Sequence, residues 1–220
     1  ISVYAKYAFA YNILSCFTAL IVGVSTVLFP KFKQLPKEDV MGMFPDSMRS
    51  MTVLVAASLV AYFPICLIIR YMLPEYVDSI VYFEIIFPAL ALSASITTMI
   101  FTFYKVLDRN AVFMKECLIT LVIAFSSNLL AYAAFRTPEA ISVASVFTSV
   151  VWYVLSVRYL VRKYGVEWKR NFIYALAVMA CFYVSVYVID SLWLQAVAYV
   201  CGAAVLTWLF WGKGLIRKKN

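Results

Sequence analysis

The sequence contains no histidine and little charge, since only 14% of its 220 residues are Asp, Glu, Lys or Arg. Without histidine, the chain lacks the most common general base and metal ligand of proteins near neutral pH. The five cysteines form no Cys-x-x-Cys pair and lie in or beside apolar stretches, at Cys16, Cys66, Cys117, Cys181 and Cys201. Neither a disulfide framework nor a structural zinc site is therefore expected, and we predict no cofactor and no metal.

Apolar residues dominate the composition, with 65% hydrophobic residues and a mean hydropathy of +0.90. A soluble domain, by contrast, is roughly a quarter charged and about half apolar. Apolar runs of about 20 residues, the length of a bilayer-spanning helix, occupy residues 7–30, 51–73, 82–104, 117–135, 140–161, 172–189 and 192–211. They lack the two-residue alternation of a membrane β-strand. The sequence therefore predicts an all-α integral membrane protein with about seven transmembrane helices.

The basic residues lie between the apolar runs. A net charge of +8 would suggest nucleic-acid binding only if these residues shared one solvated face or tail, so no nucleic-acid partner is expected. The segments between successive apolar runs, including the ends of those runs, and the tail after the last one are called here joints. Alternate joints contain 16 of the 19 basic residues, namely Lys31, Lys33, Lys37, Arg49, Lys105, Arg109, Lys115, Arg158, Arg162, Lys163, Lys169, Arg170, Lys213, Arg217, Lys218 and Lys219. Short basic loops stay in the cytoplasm, which predicts an external N-terminus and a cytoplasmic C-terminus. An external N-terminus without a signal peptide further predicts that an odd number of helices precedes Ile1 in a longer protein.

Polar side chains form a stripe along the first apolar run. Placed about 100 degrees apart around a helix, eight of them fall within an arc of roughly 140 degrees. They are Tyr4, Tyr7, Tyr11, Asn12, Ser15, Thr18, Ser25 and Thr26. Two interpretations stay open: the stripe lines a wet or protein-facing pathway, or its small hydroxyls allow close helix packing. Asn12 and Ser15 are the candidate pathway residues in the first interpretation.

A second polar stripe follows the third apolar run. An arc of roughly 80 degrees contains Glu84, Ser95, Thr98, Thr102 and Lys105. A stripe between a carboxylate and an ammonium group predicts the wall of a polar pathway. The alternative is that the charged residues at its two ends are interfacial and reach opposite membrane surfaces. Ser93 lies off this arc and is expected to lie outside the pathway.

Two further polar residues lie within apolar runs. Asn128 in the fourth run is interpreted mainly as an interhelical hydrogen-bond residue, with a substrate contact as the alternative. Arg70, near the external end of the second run, either reaches toward the membrane surface or binds an anionic head group. Both residues are kept as candidates for a substrate pathway.

Two segments resemble a signature of polysaccharide flippases, which belong to the multidrug/oligosaccharidyl-lipid/polysaccharide exporter superfamily. They read YAFAYNIL at 7–14 and VLFPKF at 27–32. Residues 92–165 are similar to the C-terminal region of these exporters, with a hydroxyl-rich helix, a basic turn and an Asn-bearing helix. The resemblance implies a transporter of about 14 helices in two lobes plus a final helix pair. This chain would then hold the C-terminal lobe at 1–165 and the final pair at 166–220.

The resemblance also implies a function. Such exporters flip an undecaprenyl-pyrophosphate-linked oligosaccharide across the bacterial cytoplasmic membrane by alternating access, for surface polysaccharides such as O-antigen or capsule. No bond is made or broken, so an enzyme is not expected. The implied partners are the bilayer, the lipid-linked oligosaccharide and a missing N-terminal half of the same protein. Alternatives are a peptidoglycan-precursor flippase, a drug or cation antiporter, a membrane-embedded polymerase or glycosyltransferase, and a seven-helix receptor.

Overall fold

A computed structural model describes residues 3–212, without the side chains of residues 3, 24–26, 28, 37 and 38. The side chains of Ser25, Thr26 and Lys37 therefore lie outside the described part. The same holds for the whole of the tail residues Lys213, Arg217, Lys218 and Lys219.

Eight helices and a short 3-10 turn at Pro74–Tyr76 make up the described chain. The helices are α1 (Val3–Lys33), α2 (Lys37–Gly42), α3 (Phe44–Met72), α4 (Ser79–Val106), α5 (Asn110–Phe135), α6 (Pro138–Tyr164), α7 (Lys169–Val188) and α8 (Leu192–Gly212). All except the short α2 include a stretch that is long and apolar enough to cross a bilayer, and residues 3–212 contain no strand. The prediction of an all-α, multi-pass membrane protein with seven spanning helices is confirmed.

Several helices extend beyond their apolar runs. α3 begins at Phe44 rather than Met51, and α5 begins at Asn110 rather than Cys117. The added turns contain polar residues that water and lipid head groups can solvate. A hydropathy pattern reports only the part of a helix that lies in the hydrocarbon, so it misses these turns.

Helices α5 and α6 are joined by a tight turn. Arg136 closes α5 in the left-handed conformation at φ 55°, and extended Thr137 leads into Pro138, the first residue of α6. Proline suits that position because its missing N–H has no partner in the first helical turn. At the other end of α6, Gly165 adopts φ 65°, which glycine does without a Cβ penalty. The turn sets α5 and α6 side by side and antiparallel.

Helix α4 lies at the centre of the molecule and packs against α1, α3, α5, α6 and α7. In its spanning stretch, 78% of the residues are buried, against 11% in α1 and 6% in α5. Two irregular turns interrupt it. A 3-10 turn at Phe87–Ala89 surrounds Pro88, which has no N–H to donate,. A π turn then covers Ile96–Ile100.

The other helices surround α4 in two groups. On one side, α3, α7 and α8 pack together, and Tyr199 Oη on α8 donates a hydrogen bond to the Ala56 carbonyl of α3 at 2.6 Å. On the other side, α1 contacts mainly α4, and α5 contacts mainly α6. The pair α7–α8 thus rests on α3 and α4, and a domain boundary at residue 165 stays a prediction.

Two ion pairs join α1 to the ends of α4. The Lys6 ammonium group pairs with Asp78 just before α4, and Lys33 Nζ lies 2.8 Å from Oδ1 of Asp108 just after it. Contacts at both ends require α1 and α4 to run parallel. Because successive spanning helices alternate in direction, the basic joints that include Lys33, Lys105 and Arg170 meet at one end of the bundle, called here the basic end. Which side of the membrane it faces stays a prediction.

Candidate functional site

A groove lies between α1 and the α5–α6 pair, with α4 as its floor. It has a volume of about 660 Å³. Hydroxyl and amide side chains from all four helices line it, namely Tyr11, Ser15, Thr18, Ser93, Thr97, Thr120, Asn128, Ser145, Thr148 and Ser149. Alanine, valine, leucine and isoleucine side chains fill the surface between them, so the groove is mainly apolar with regularly placed polar groups.

Most of these hydroxyls donate to their own helix. Ser15, Thr97 and Ser149 each bond the carbonyl four residues earlier, at 3.0, 2.9 and 3.0 Å. Such bonds satisfy the hydroxyl proton while the oxygen keeps acceptor capacity. The groove can therefore exchange hydrogen bonds with a ligand that carries several hydroxyl groups.

Two polar atoms in the groove, Asn128 Oδ1 and Trp152 Nε1, are buried and have no hydrogen-bond partner in the part of the chain that the structure describes. The Cys117 thiol lies beside the indole N–H, but sulfur is a weak acceptor, so the N–H keeps most of its capacity to donate. An unsatisfied buried polar group costs about 1–3 kcal/mol. A ligand that offers one donor and one acceptor here would recover that free energy.

The groove continues toward the basic end as a cavity of about 520 Å³. Val22, Thr97 and Trp152 line both parts, so the two are contiguous. Lys105 lies in the second part, with Nζ 4.0 Å from the centroid of the Phe101 ring. An ammonium group in such an apolar setting attracts an anion more strongly than it would in water.

No protein-family model, curated protein or solved structure matches this chain.

The structure brings three of the predicted pathway residues into the groove. They are Ser15, Asn128 and Lys105. Asn12 is exposed on α1 and does not line it. Glu84 is half-buried and accepts a hydrogen bond from Tyr62 Oη of α3 at 2.8 Å, so it faces α3. Arg70 is exposed near the end of α3, away from the groove.

The three hydroxyls predicted for the wall of α4 lie elsewhere. Ser95, Thr98 and Thr102 are fully buried, and each donates to the carbonyl four residues earlier in α4. Ser93, expected to lie outside the pathway, lines the groove. The expectation for Ser93 and the pathway role of the three buried hydroxyls both stay predictions.

Six residues of α4 line the groove, and five of them are four apart: Ala89, Ser93, Thr97, Phe101 and Lys105, with Ile86 as the sixth. In a regular α-helix, each residue is rotated by about 40 degrees around the helix axis relative to the residue four positions earlier. Over the length of this row, the later side chains would therefore point away from the groove. The π turn at Ile96–Ile100 widens the helix locally and keeps the row aligned,. A projection that assumes a regular helix cannot identify this face.

The part of the groove wall that α6 forms was not predicted from the sequence. Ser145, Ser149 and Trp152 line the groove at spacings of four and three residues, which place side chains on one face of a helix. Projecting the fifth apolar run in the same way as the first and third would have detected this stripe.

Proposed function

We propose that this protein moves an amphipathic, anionic, lipid-linked oligosaccharide across a bacterial cytoplasmic membrane, as the flippase resemblance implies. The observation that supports this function is the continuous groove, which passes from a hydroxyl-lined part to Lys105 at the basic end. No bond is made or broken in this transport.

Each part of the groove suits one part of such a substrate. The sugar hydroxyls exchange hydrogen bonds with Ser15, Ser93 and Ser149, and with the unpartnered atoms of Asn128 and Trp152,. The pyrophosphate meets the Lys105 ammonium group, a compact cation with three donors. Recognition by many weak, interchangeable hydrogen bonds allows a long polar substrate to pass without being trapped.

The lipid part of the substrate requires an apolar route beside the groove. α1 and α5 offer one, because Leu20, Leu121 and Phe125 are exposed on them. In this proposal the polyprenyl chain stays in the bilayer along these helices while the head group passes through the groove. An upstream set of helices, the other lobe of the transporter, covers the groove, and alternating access comes from the motion of one lobe against the other.

Complementation of a strain that lacks its own oligosaccharide flippase tests the proposal, with the complete protein as expressed from its gene. Lys105→Ala should lower the surface polysaccharide by about tenfold or more, because charge-assisted hydrogen bonds contribute about 1.5–3 kcal/mol. Lys105→Arg should retain most of the activity. Lys163→Ala, an exposed lysine at the basic end, is the matched control and should have no effect at equal membrane abundance.

Variants of the hydroxyl-lined part complete the test. Asn128→Ala and Ser93→Phe should also reduce complementation, the first by removing a polar contact and the second by filling the groove. Full complementation by Lys105→Ala, Asn128→Ala and Ser93→Phe together would show that the groove is not the transport pathway.

A further inference from the structure

Two arginines converge on one tryptophan at the basic end, on the other side of α4 from the groove. Arg49 in α3 and Arg170 in α7 place their guanidinium carbons 4.9 and 4.3 Å from the ring centroid of Trp211 in α8. Trp211 is buried, and its Nε1 has no hydrogen-bond partner among the described residues. Three spanning helices thus contribute to one cluster, called here the Arg–Trp–Arg cluster.

The cluster concentrates positive charge. Each guanidinium group is attracted to the electron-rich indole ring, but the two cations repel each other across it. The ion pairs Lys6–Asp78 and Lys33–Asp108 involve neither arginine. The carboxylates nearest along the chain are Asp46, three residues before Arg49, and Glu167, three residues before Arg170. An anion placed between the guanidinium groups would relieve their repulsion.

The hydrogen-bonding groups of the cluster are all donors. A guanidinium group has five N–H donors in a planar fork and no acceptor, and the indole has one N–H donor. Such a set matches a ligand with several acceptor oxygens and a negative charge. Arginine pairs with phosphate in this bidentate way, so phosphate is the chemistry that fits the cluster.

The position of the cluster favours a phosphate that is attached to a lipid. Arg49 and Arg170 lie near the start of spanning helices, and Trp211 lies at the end of one. One helical turn further into the bundle, Ile173 and Trp208 are 54% and 66% exposed. Residues three apart are neighbours on the surface of a regular helix, so Ile173 lies directly beneath Arg170, and Trp208 belongs to the same π turn, Trp208–Gly212, as Trp211. The acyl chains of a lipid whose phosphate is bound would contact these side chains. A free phosphate ion has no apolar part and would gain nothing from them.

We propose that the Arg–Trp–Arg cluster binds the phosphate head group of an anionic membrane lipid from the surrounding leaflet. The site shares no residue with the groove, so it is independent of the transport proposal. Basic pockets between spanning helices are suited to such head groups. The bound lipid joins α3, α7 and α8 at their ends by neutralising the charge that they bring together.

Native mass spectrometry of the full chain in detergent tests this site, with phosphatidylglycerol and phosphatidylcholine of identical acyl chains as probes. Wild type should retain phosphatidylglycerol in preference to phosphatidylcholine. The double variant Arg49→Gln/Arg170→Gln should lose about tenfold or more of this preference, since each basic residue near anionic lipid contributes about 1 kcal/mol. Trp211→Phe, which keeps the ring and removes the N–H, should lose several-fold. Arg162→Gln/Lys163→Gln removes two exposed charges at the same end and should change the preference less than twofold.

Three results would overturn the proposal. The first is an equal loss in the control and cluster variants, which would indicate diffuse surface charge. The second is displacement of the lipid by millimolar inorganic phosphate, which would indicate a site for soluble anions. The third is an unchanged preference in the cluster variants.

If the double variant does not yield folded protein, the lipid preference of the single variants Arg49→Lys and Arg170→Lys is measured instead, because each keeps the charge and loses the planar fork. A loss of preference in either supports the site, and wild-type preference in both rejects it.

Discussion

The Lys33 ammonium group donates a hydrogen bond to Oδ1 of Asp108 at 2.8 Å, joining the end of α1 to the turn after α4. α1 forms one wall of the groove and contacts mainly α4. The Lys33–Asp108 pair at one end of these two helices and the Lys6–Asp78 pair at the other end therefore position α1 as the wall of the groove.

The Lys33–Asp108 pair should contribute little to global stability. Both side chains are about half exposed, and exposed ion pairs contribute about 0.2–1 kcal/mol. A double-mutant cycle with Lys33→Ala and Asp108→Ala, followed by thermal unfolding in detergent, should give a coupling energy in that range. The charge-exchanged variant Lys33→Asp/Asp108→Lys should recover most of it. A coupling energy above about 2 kcal/mol would show that the pair is effectively buried.

The register of the groove wall on α4 can be checked with cysteine probes. In a background without native cysteines, Ser93→Cys and Thr97→Cys should react with N-ethylmaleimide at least about tenfold faster than Ser95→Cys and Thr98→Cys, because thiol reactivity follows exposure. The four positions lie within two helical turns, so their depth in the membrane is nearly matched. Equal rates, or faster reaction at Ser95 and Thr98, would contradict the wall described here.

The orientation predicted from the basic joints can be tested in intact cells. A single cysteine at exposed Lys163 should be protected from a membrane-impermeant thiol reagent, and one at exposed Thr137 should be labelled. Permeabilising the cells should make both positions reactive. Labelling of Lys163→Cys from outside the intact cell would reverse the predicted topology.

Glycine 202 permits close contact between α7 and α8. A Cβ atom at Gly202 would lie 2.5 Å from Cys181 Sγ, so Gly202→Ala should destabilise the protein by about 1–3 kcal/mol. Removing the sulfur in Gly202→Ala/Cys181→Ala should restore part of the loss, as measured by thermal unfolding. Gly23→Ala is the matched control, because its Cβ would meet no atom within 4 Å. A destabilised control, or no recovery in the double variant, would contradict this explanation.

The helical class, the spanning segments and the asymmetry of the basic joints could all be predicted from the sequence. Each depends on local properties, because a run of about 20 apolar residues must form a helix in lipid whatever its neighbours are. Part of the groove was also predictable. Ser15 belongs to a stripe that a regular-helix projection places on one face of α1, and Asn128 is an amide within an apolar run. Lys105 was predicted as the charged end of the stripe on α4, although the hydroxyls of that stripe do not line the groove.

The face of α4 that lines the groove was decided by tertiary structure. Packing on five neighbouring helices accommodates a 3-10 turn and a π turn within one span, and the π turn brings Ser93 into line with Lys105. The Arg–Trp–Arg cluster likewise joins residues from three separate helices. Hydropathy and helical periodicity describe one helix at a time, whereas these two sites depend on how several helices are rotated and packed against one another.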